Sequence, residues 1–280
     1  MTTEEFHPKH ALIRDERFPN VWCPGCGLGI LLQSYLNAVE KSGIPLDQQV
    51  LVSGIGCTAR LPGYAKFDSY HTTHGRAIPF ATGMKIANPE LKVTVVSGDG
   101  DLFNIGGNHF IHAARRNMDL VVICSNNFNY GMTGGQHGST TPLTSRSAST
   151  PYGNVEPTFN LPYLASALGA SYVSRWTVMH PRQLAKSIRM AMETKGFAFI
   201  EVLSPCPPNF GKFNGFGDGF EEMEFYRSKS TVQNDARLED VSIDPFHGKP
   251  VVLGDFVNRK RPSYIMLENE LVRKAMGVKK

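Results

Sequence analysis

"LKVTVVSGDGD", residues 91–101, is a run of β-branched and aliphatic residues that ends abruptly in a glycine–acid turn. A run this short, bounded by Gly98 and Gly100, reads as a strand buried on both faces, not as a helix. The next stretch, "IGGNHFIHAARR" (residues 105–116), has helical spacing, and "DLVVICSN" (119–126) is apolar again. The same alternation holds on either side. "QVLVSGIGC" (49–57) predicts a strand running into a glycine turn, and a helix is expected over 76–87, stopped by Asn88-Pro89. Leu184, Ile188 and Ala191 mark a helix before the strand "FAFIEVLS" (197–204). Upstream, Leu28, Leu31, Leu32, Tyr35, Leu36 and Val39 recur at helical intervals before Gly43. Strands alternating with helices predict an α/β fold with a doubly wound, mainly parallel sheet. Ligands in such sheets sit beyond the carboxyl ends of the strands, where "GIGC", "GDGD" and "SNNFNYG" fall.

The chain has 280 residues, 41% hydrophobic and 19% charged. We expect a main domain over 1–225 and, from about Tyr226, a polar, proline-punctuated extension over 226–280 that docks on a partner as an arm. Of the net charge of +4, residues 256–280 carry +5, so the body is near neutral. That excludes a broad nucleic-acid-binding face. "MTTEEFHPKH" has no apolar signal core and no run approaches a membrane span, so a cytoplasmic location is expected. The five cysteines are then thiols or metal ligands, not disulfides.

"GDGD" has a polar-turn reading and a ligand reading. Glycines let a backbone approach phosphate oxygens and a helix start offers free N–H groups, but the Asp99 carboxylate needs a cation between itself and a phosphate. Asn127 lies 28 residues on, past the end of the next strand, so adjacent parallel strands bring Asp99 and Asn127 together. A dinucleotide fingerprint is excluded because Phe103 stands where its third glycine belongs, and no P-loop is present. "WCPGCG" (22–27) fits a zinc knuckle, a redox dithiol or one edge of an iron–sulfur site. Cys23, Cys26, Cys57 and Cys206 each adjoin Gly or Pro in turns, whereas Cys124 lies inside a strand as a structural thiol. One Cys-x-x-Cys pair plus two singletons suits a dispersed [4Fe–4S] set better than a zinc ribbon, which uses two such pairs.

"GDGD" followed by "SNNFNYGMTGGQ", together with "WCPGCG", "GIGC", "HTTHGRA" and "SPC", resembles the β subunits of 2-oxoacid:ferredoxin oxidoreductases over about residues 20–225. "NNFNYGMTGGQHGSTTP" is most similar to their 2-oxoglutarate branch. The resemblance implies thiamine diphosphate, with Mg²⁺ on Asp99, Asn127 and the Asn129 carbonyl. It implies a cofactor pocket lined by Ile55, Gly56, Cys57, Thr58, His74, Gly98, Gly100, Asp101, Gly131, Met132 and Thr133, and a [4Fe–4S] cluster on Cys23, Cys26, Cys57 and Cys206. It further implies oxidative decarboxylation of 2-oxoglutarate with coenzyme A to succinyl-CoA and CO₂, electrons leaving through the cluster to ferredoxin. His74 would act against the cofactor, and Arg60, in "GCTAR", would select the substrate's distal carboxylate. The glutamate that activates thiamine has no recognisable setting in this chain. An α subunit supplying it, in an (αβ)₂ assembly, is expected. Pyruvate or a branched 2-oxoacid as substrate, and a zinc-stabilised non-catalytic subunit, are the alternatives. His109 and His112 are given no chemistry.

Overall fold

The computed structural model describes residues 9–277. Residues 1–8 of the opening segment and Lys279 and Lys280 of the basic tail lie outside them. The first helix, α1 (Leu28–Ser42), buries the apolar stripe read from its spacing, and Gly43 ends it in the left-handed conformation. Strand β1 (Gln49–Ser53) leads through a 3₁₀ turn to the short edge strand β2 (Asp68–His71). Helix α2 (Ala77–Ala87), β3 (Lys92–Gly98), α3 (Gly107–Arg115) and β4 (Val121–Asn126) follow. After a long loop come α4 (Leu161–Ala167), β5 (Tyr172–Thr177), α5 (Pro181–Glu193) and β6 (Ala198–Leu203). The chain closes with α6 (Gly219–Lys229), β7 (Ser230–Val232), β8 (Val251–Asn258) and α7 (Tyr264–Ala275).

The strands form one sheet in the order β2-β1-β3-β4-β6-β5-β8-β7. Six are parallel, and β8 runs antiparallel to β5. Every residue of β1, β4, β5 and β6 is buried, as strands covered on both faces must be, including Arg175 of β5 and Glu201 of β6. Helices α1 and α5 cover one face with Leu31, Leu36, Leu184 and Ile188; α2, α3 and α4 cover the other with Ala81, Phe110 and Leu161. The expected fold class is therefore the observed one.

One segment differs from expectation. The boundary at 225/226 falls inside α6, and the extension adds β7 and β8 to the sheet and packs Val241 and Phe256 into its core. Most of the expected arm is thus integral; α7 is its exposed end. The helix expected over 105–116 is α3, entered through a π-helical turn over Gly100–Ile105.

Candidate active site

β1 and β3 are neighbours although β2 separates them in sequence, so the chain leaves β1 toward the sheet edge and returns on its other side. Such a switch point opens a crevice at the strands' carboxyl ends. The "GIGC" and "GDGD" turns form its walls. Register pairs Gly98 with Ser125, which carries Asp99 alongside Asn127 as the spacing required.

One cavity in this crevice is lined by Ile55, Gly56, Cys57, Thr58, His74, Gly98, Asp99, Gly100, Asp101, Asn127, Gly131, Met132 and Thr133. Asn129 and Tyr130 complete it, and the sequence analysis missed Tyr130 as a lining residue. The glycines of "GDGD" differ in purpose. A Cβ on Gly98 would meet nothing closer than 3.8 Å, so the backbone there is bare toward the cavity. A Cβ on Gly100 would stand 2.6 Å from the Tyr130 ring, so Gly100 is required by packing.

Asp99 is 2% exposed, and burial pushes its carboxyl up to about 7. Thr140, from the long loop after β4, donates to Oδ2. On the Oδ1 side, one terminal atom of the Asn127 carboxamide lies 3.3 Å from Asp99 Oδ1 and 2.7 Å from the Asn129 carbonyl oxygen. With nitrogen there, it donates two hydrogen bonds. With oxygen there, three oxygens converge, one of them a carboxylate in need of a counter-charge: the donor set of a hard divalent cation such as Mg²⁺.

Asp101, expected to line the cofactor pocket, does so as a hub. Its Oδ1 accepts from Ile55 N (3.1 Å), Gly75 N (2.8 Å) and His74 Nδ1 (2.5 Å), and its Oδ2 accepts from Ser97 Oγ (2.8 Å). One carboxylate thus ties the loop after β1, the loop before α2 and the end of β3. The bond fixes the His74 tautomer with Nδ1 protonated, leaving Nε2 free on a ring that lines the cavity. Gly54 is needed because a Cβ there would sit 2.0 Å from Asp101 Oδ2. Asp101→Ala is expected to cost about 3–5 kcal/mol by stranding buried donors. Asp101→Asn should cost less than about 1.5 kcal/mol, because its amide can donate to the reversible Ser97 hydroxyl. Chemical denaturation checks the ranking.

The thiols of Cys23, Cys26, Cys57 and Cys206 gather beside this cavity. Burial and the three other thiols push Cys26 up to about 11, and Cys57 and Cys206 are raised by burial too. Among the described residues, no three His, Cys, Asp or Glu side chains close on a single metal ion. A cubane cluster, by contrast, holds its four thiolates apart at its corners. Trp22 Nε1 donates to the Cys57 carbonyl (2.9 Å) and Ser204 Oγ to the Cys26 carbonyl (2.6 Å), binding the turns together. Cys57 lines the cavity itself, and a Cβ on Gly131 would lie 3.4 Å from Cys206 Sγ. Cys124 is fully buried in β4, and its charged neighbours are Asp99, Glu201 and Asp101, not the other thiols.

Arg60 lies outside the cavity. It is exposed in an adjacent one shared with Arg17, Tyr64, Tyr70 and His71, and no carboxylate pairs with it among the described residues. His109 bonds Arg76 on the surface of α3. The buried Glu201 and Glu222 are committed to Arg175 and the Cys206 amide, away from the cavity.

Residues 54–202 match the family model of the thiamine pyrophosphate enzyme C-terminal TPP-binding domain. The chain is 47% identical over 268 residues to the 2-oxoglutarate synthase subunit KorB of Methanocaldococcus jannaschii, covering 96% of this chain and 98% of that one. It is 53% identical over 195 residues to the KorB subunit of Archaeoglobus fulgidus, covering 70% and 73%. Among solved structures, the 2-oxoglutarate:ferredoxin oxidoreductase from Magnetococcus marinus, with 2-oxoglutarate, coenzyme A and succinyl-CoA bound, superposes with a TM-score of 0.83 at 31% identity. That match covers 99% of this chain and 93% of that one.

Proposed function

The chain belongs to the family of 2-oxoacid:ferredoxin oxidoreductase β subunits, in its 2-oxoglutarate synthase KorB branch, and on that premise we propose how its residues divide the work. Thiamine diphosphate supplies the nucleophile that decarboxylates the 2-oxoacid. Asp99, Asn127 and the Asn129 carbonyl hold the Mg²⁺ that neutralises its diphosphate, and the bare backbone at Gly98 admits the phosphate oxygens. His74, oriented by Asp101, accepts or returns a proton at Nε2. Cys23, Cys26, Cys57 and Cys206 would hold a [4Fe–4S] cluster, which would supply one-electron chemistry toward ferredoxin. The observation that carries this reading is the shared wall: Cys57 belongs both to the thiol group and to the cofactor cavity, so a cofactor held in the cavity and an electron acceptor held on the thiols would adjoin through it.

Among the described residues no glutamate lines the cavity. The proton relay that activates thiamine then comes from an α subunit seated over the crevice, in an (αβ)₂ heterotetramer that also binds coenzyme A. The exposed end of the extension, with Met266, Leu267, Leu271 and Val272 of α7 in solvent, offers a docking element for that assembly. No helix among the described residues is long and apolar enough to cross a membrane. Thiolate-held iron fits a reducing cytoplasm.

Arg60 reaches the 2-oxoglutarate distal carboxylate once the α subunit covers it, through parallel charge-assisted hydrogen bonds. Arg60→Met in the complex should lower kcat/KM for 2-oxoglutarate by roughly 2–4 kcal/mol and change that for pyruvate and 2-oxobutyrate far less. An anaerobic assay of the three acids tests it. An equal fall for all three, with cofactor binding lost, makes Arg60 a structural residue.

A further inference from the structure

The turn that presents Asn127 and Asn129 is strained. Phe128, between them, has φ +63°, a region bulky side chains avoid. Its ring packs on Phe210 and Tyr226, and its carbonyl accepts from Thr141 Oγ1 (2.6 Å). Its amide donates to Asn126 Oδ1 (3.1 Å), which leads into a continuous buried chain. Asn126 Nδ2 donates to Glu201 Oε1 (2.7 Å), and Glu201 Oε2 accepts from Arg175 Nε (2.7 Å). Arg175 Nη1 donates to the Val241 carbonyl (2.6 Å) and, at 3.4 Å, to that of Val252. Asn126, Glu201 and Arg175 are at most 1% exposed. The register sets the line: Cys124, Glu201, Arg175 and Gly254 are successive partners across β4, β6, β5 and β8.

A buried ion pair adds little net stability over apolar residues of the same shape, and these strands already share full ladders. The pair does something more specific. With Arg175 occupying one Glu201 oxygen, the other receives the Asn126 amide, so the Asn126 oxygen can face only the Phe128 N–H. We propose that Arg175 and Glu201 are positioning residues for the divalent-cation site, locking Asn126 so that the Phe128 turn holds the Asn127 carboxamide and Asn129 carbonyl on Asp99. This rests on the reading of Asp99, Asn127 and Asn129 as that site. It also gives the extension a role within its own chain, since the Val241 and Val252 carbonyls anchor the far end.

The test uses the assembled complex with saturating thiamine diphosphate, with Mn²⁺ as the probe and free Mn²⁺ read by EPR. The double variant Arg175→Met/Glu201→Leu removes the charges together, so the fold should survive, with unfolding near the parent's temperature. Its Mn²⁺ affinity should fall on the order of 10–100-fold, the scale for losing the partners that orient metal ligands. Ser187→Ala, which breaks the neighbouring buried Trp176–Ser187–Asp255 bonds, should lower stability and leave Mn²⁺ affinity unchanged. Should the double variant not assemble, Glu201→Gln reads the same quantity, because its amide serves one partner but not both. Parent-like Mn²⁺ affinity in the folded double variant or in Glu201→Gln overturns the proposal, as does an equal loss in Ser187→Ala. A parent complex that binds no Mn²⁺ with thiamine diphosphate instead refutes the cation-site reading beneath it.

Discussion

Asp99→Ala is expected to abolish Mg²⁺-dependent retention of thiamine diphosphate while leaving iron content intact. Asp99 is the sole carboxylate of the proposed donor set, and it is buried without a cationic partner among the described residues. Removing one partner of a buried charge pair costs about 3–5 kcal/mol, which is roughly 10²–10⁴ in affinity. The same burial makes the carboxylate a burden when the cation is away, as its raised pKa records. A ligand that binds only the folded state raises its melting temperature. Mg²⁺–thiamine diphosphate should thus shift the parent's melting temperature and not the variant's, by calorimetry of the complex. A variant that keeps the cofactor tightly contradicts the assignment.

The cysteines carry the second large effect. Serine in place of Cys23, Cys26, Cys57 or Cys206 should lose or degrade the cluster, because a hydroxyl is a poor substitute for a soft thiolate toward iron. Electron delivery to ferredoxin should go with it. Cys124→Ser should keep its iron and lose only about 1–3 kcal/mol of stability, the cost of a hydroxyl buried in the core of β4. Iron and acid-labile sulfide per complex check the series. A loss greatest in the Cys124 variant would overturn the ligand set.

What was legible in the sequence follows from which physical signals are local. "LVVIC" is apolar without interruption and "VTVV" (93–96) is β-branched throughout, because β4 and the centre of β3 are covered on both faces. β5, "YVSRWT", gives no strand signal although it is just as buried, because Ser174 and Arg175 break its apolar run. Arg175 is admitted only by Glu201, on the strand beside it, a compensation the sequence of β5 does not carry. β8, "VVLGDFVN", reads in isolation as part of a polar arm, since its burial depends on β5 and β7 flanking it. The lining of the site was visible where motif residues form the turns at strand ends. Thr140 and Tyr130 were not, because their contacts with Asp99 and Gly100 depend on the path of the long loop. Asp101 is legible as a lining residue but not as a hub, since its partners lie up to 46 residues away in sequence. The resemblance alone points Arg60 at the substrate, and its side chain lines the neighbouring cavity, a placement that the spacing in "GCTAR" does not carry.

The most direct test of the account is the EPR spectrum of the anaerobically purified complex of this chain with its α subunit, frozen after 2-oxoglutarate and coenzyme A are added. The complex should be brown with a silent oxidised cluster and should develop the signal of a reduced [4Fe–4S] centre on adding 2-oxoglutarate, while this chain alone, holding iron, should not respond. A colourless, zinc-bearing complex, or a cluster that stays oxidised while 2-oxoglutarate is consumed, would contradict it.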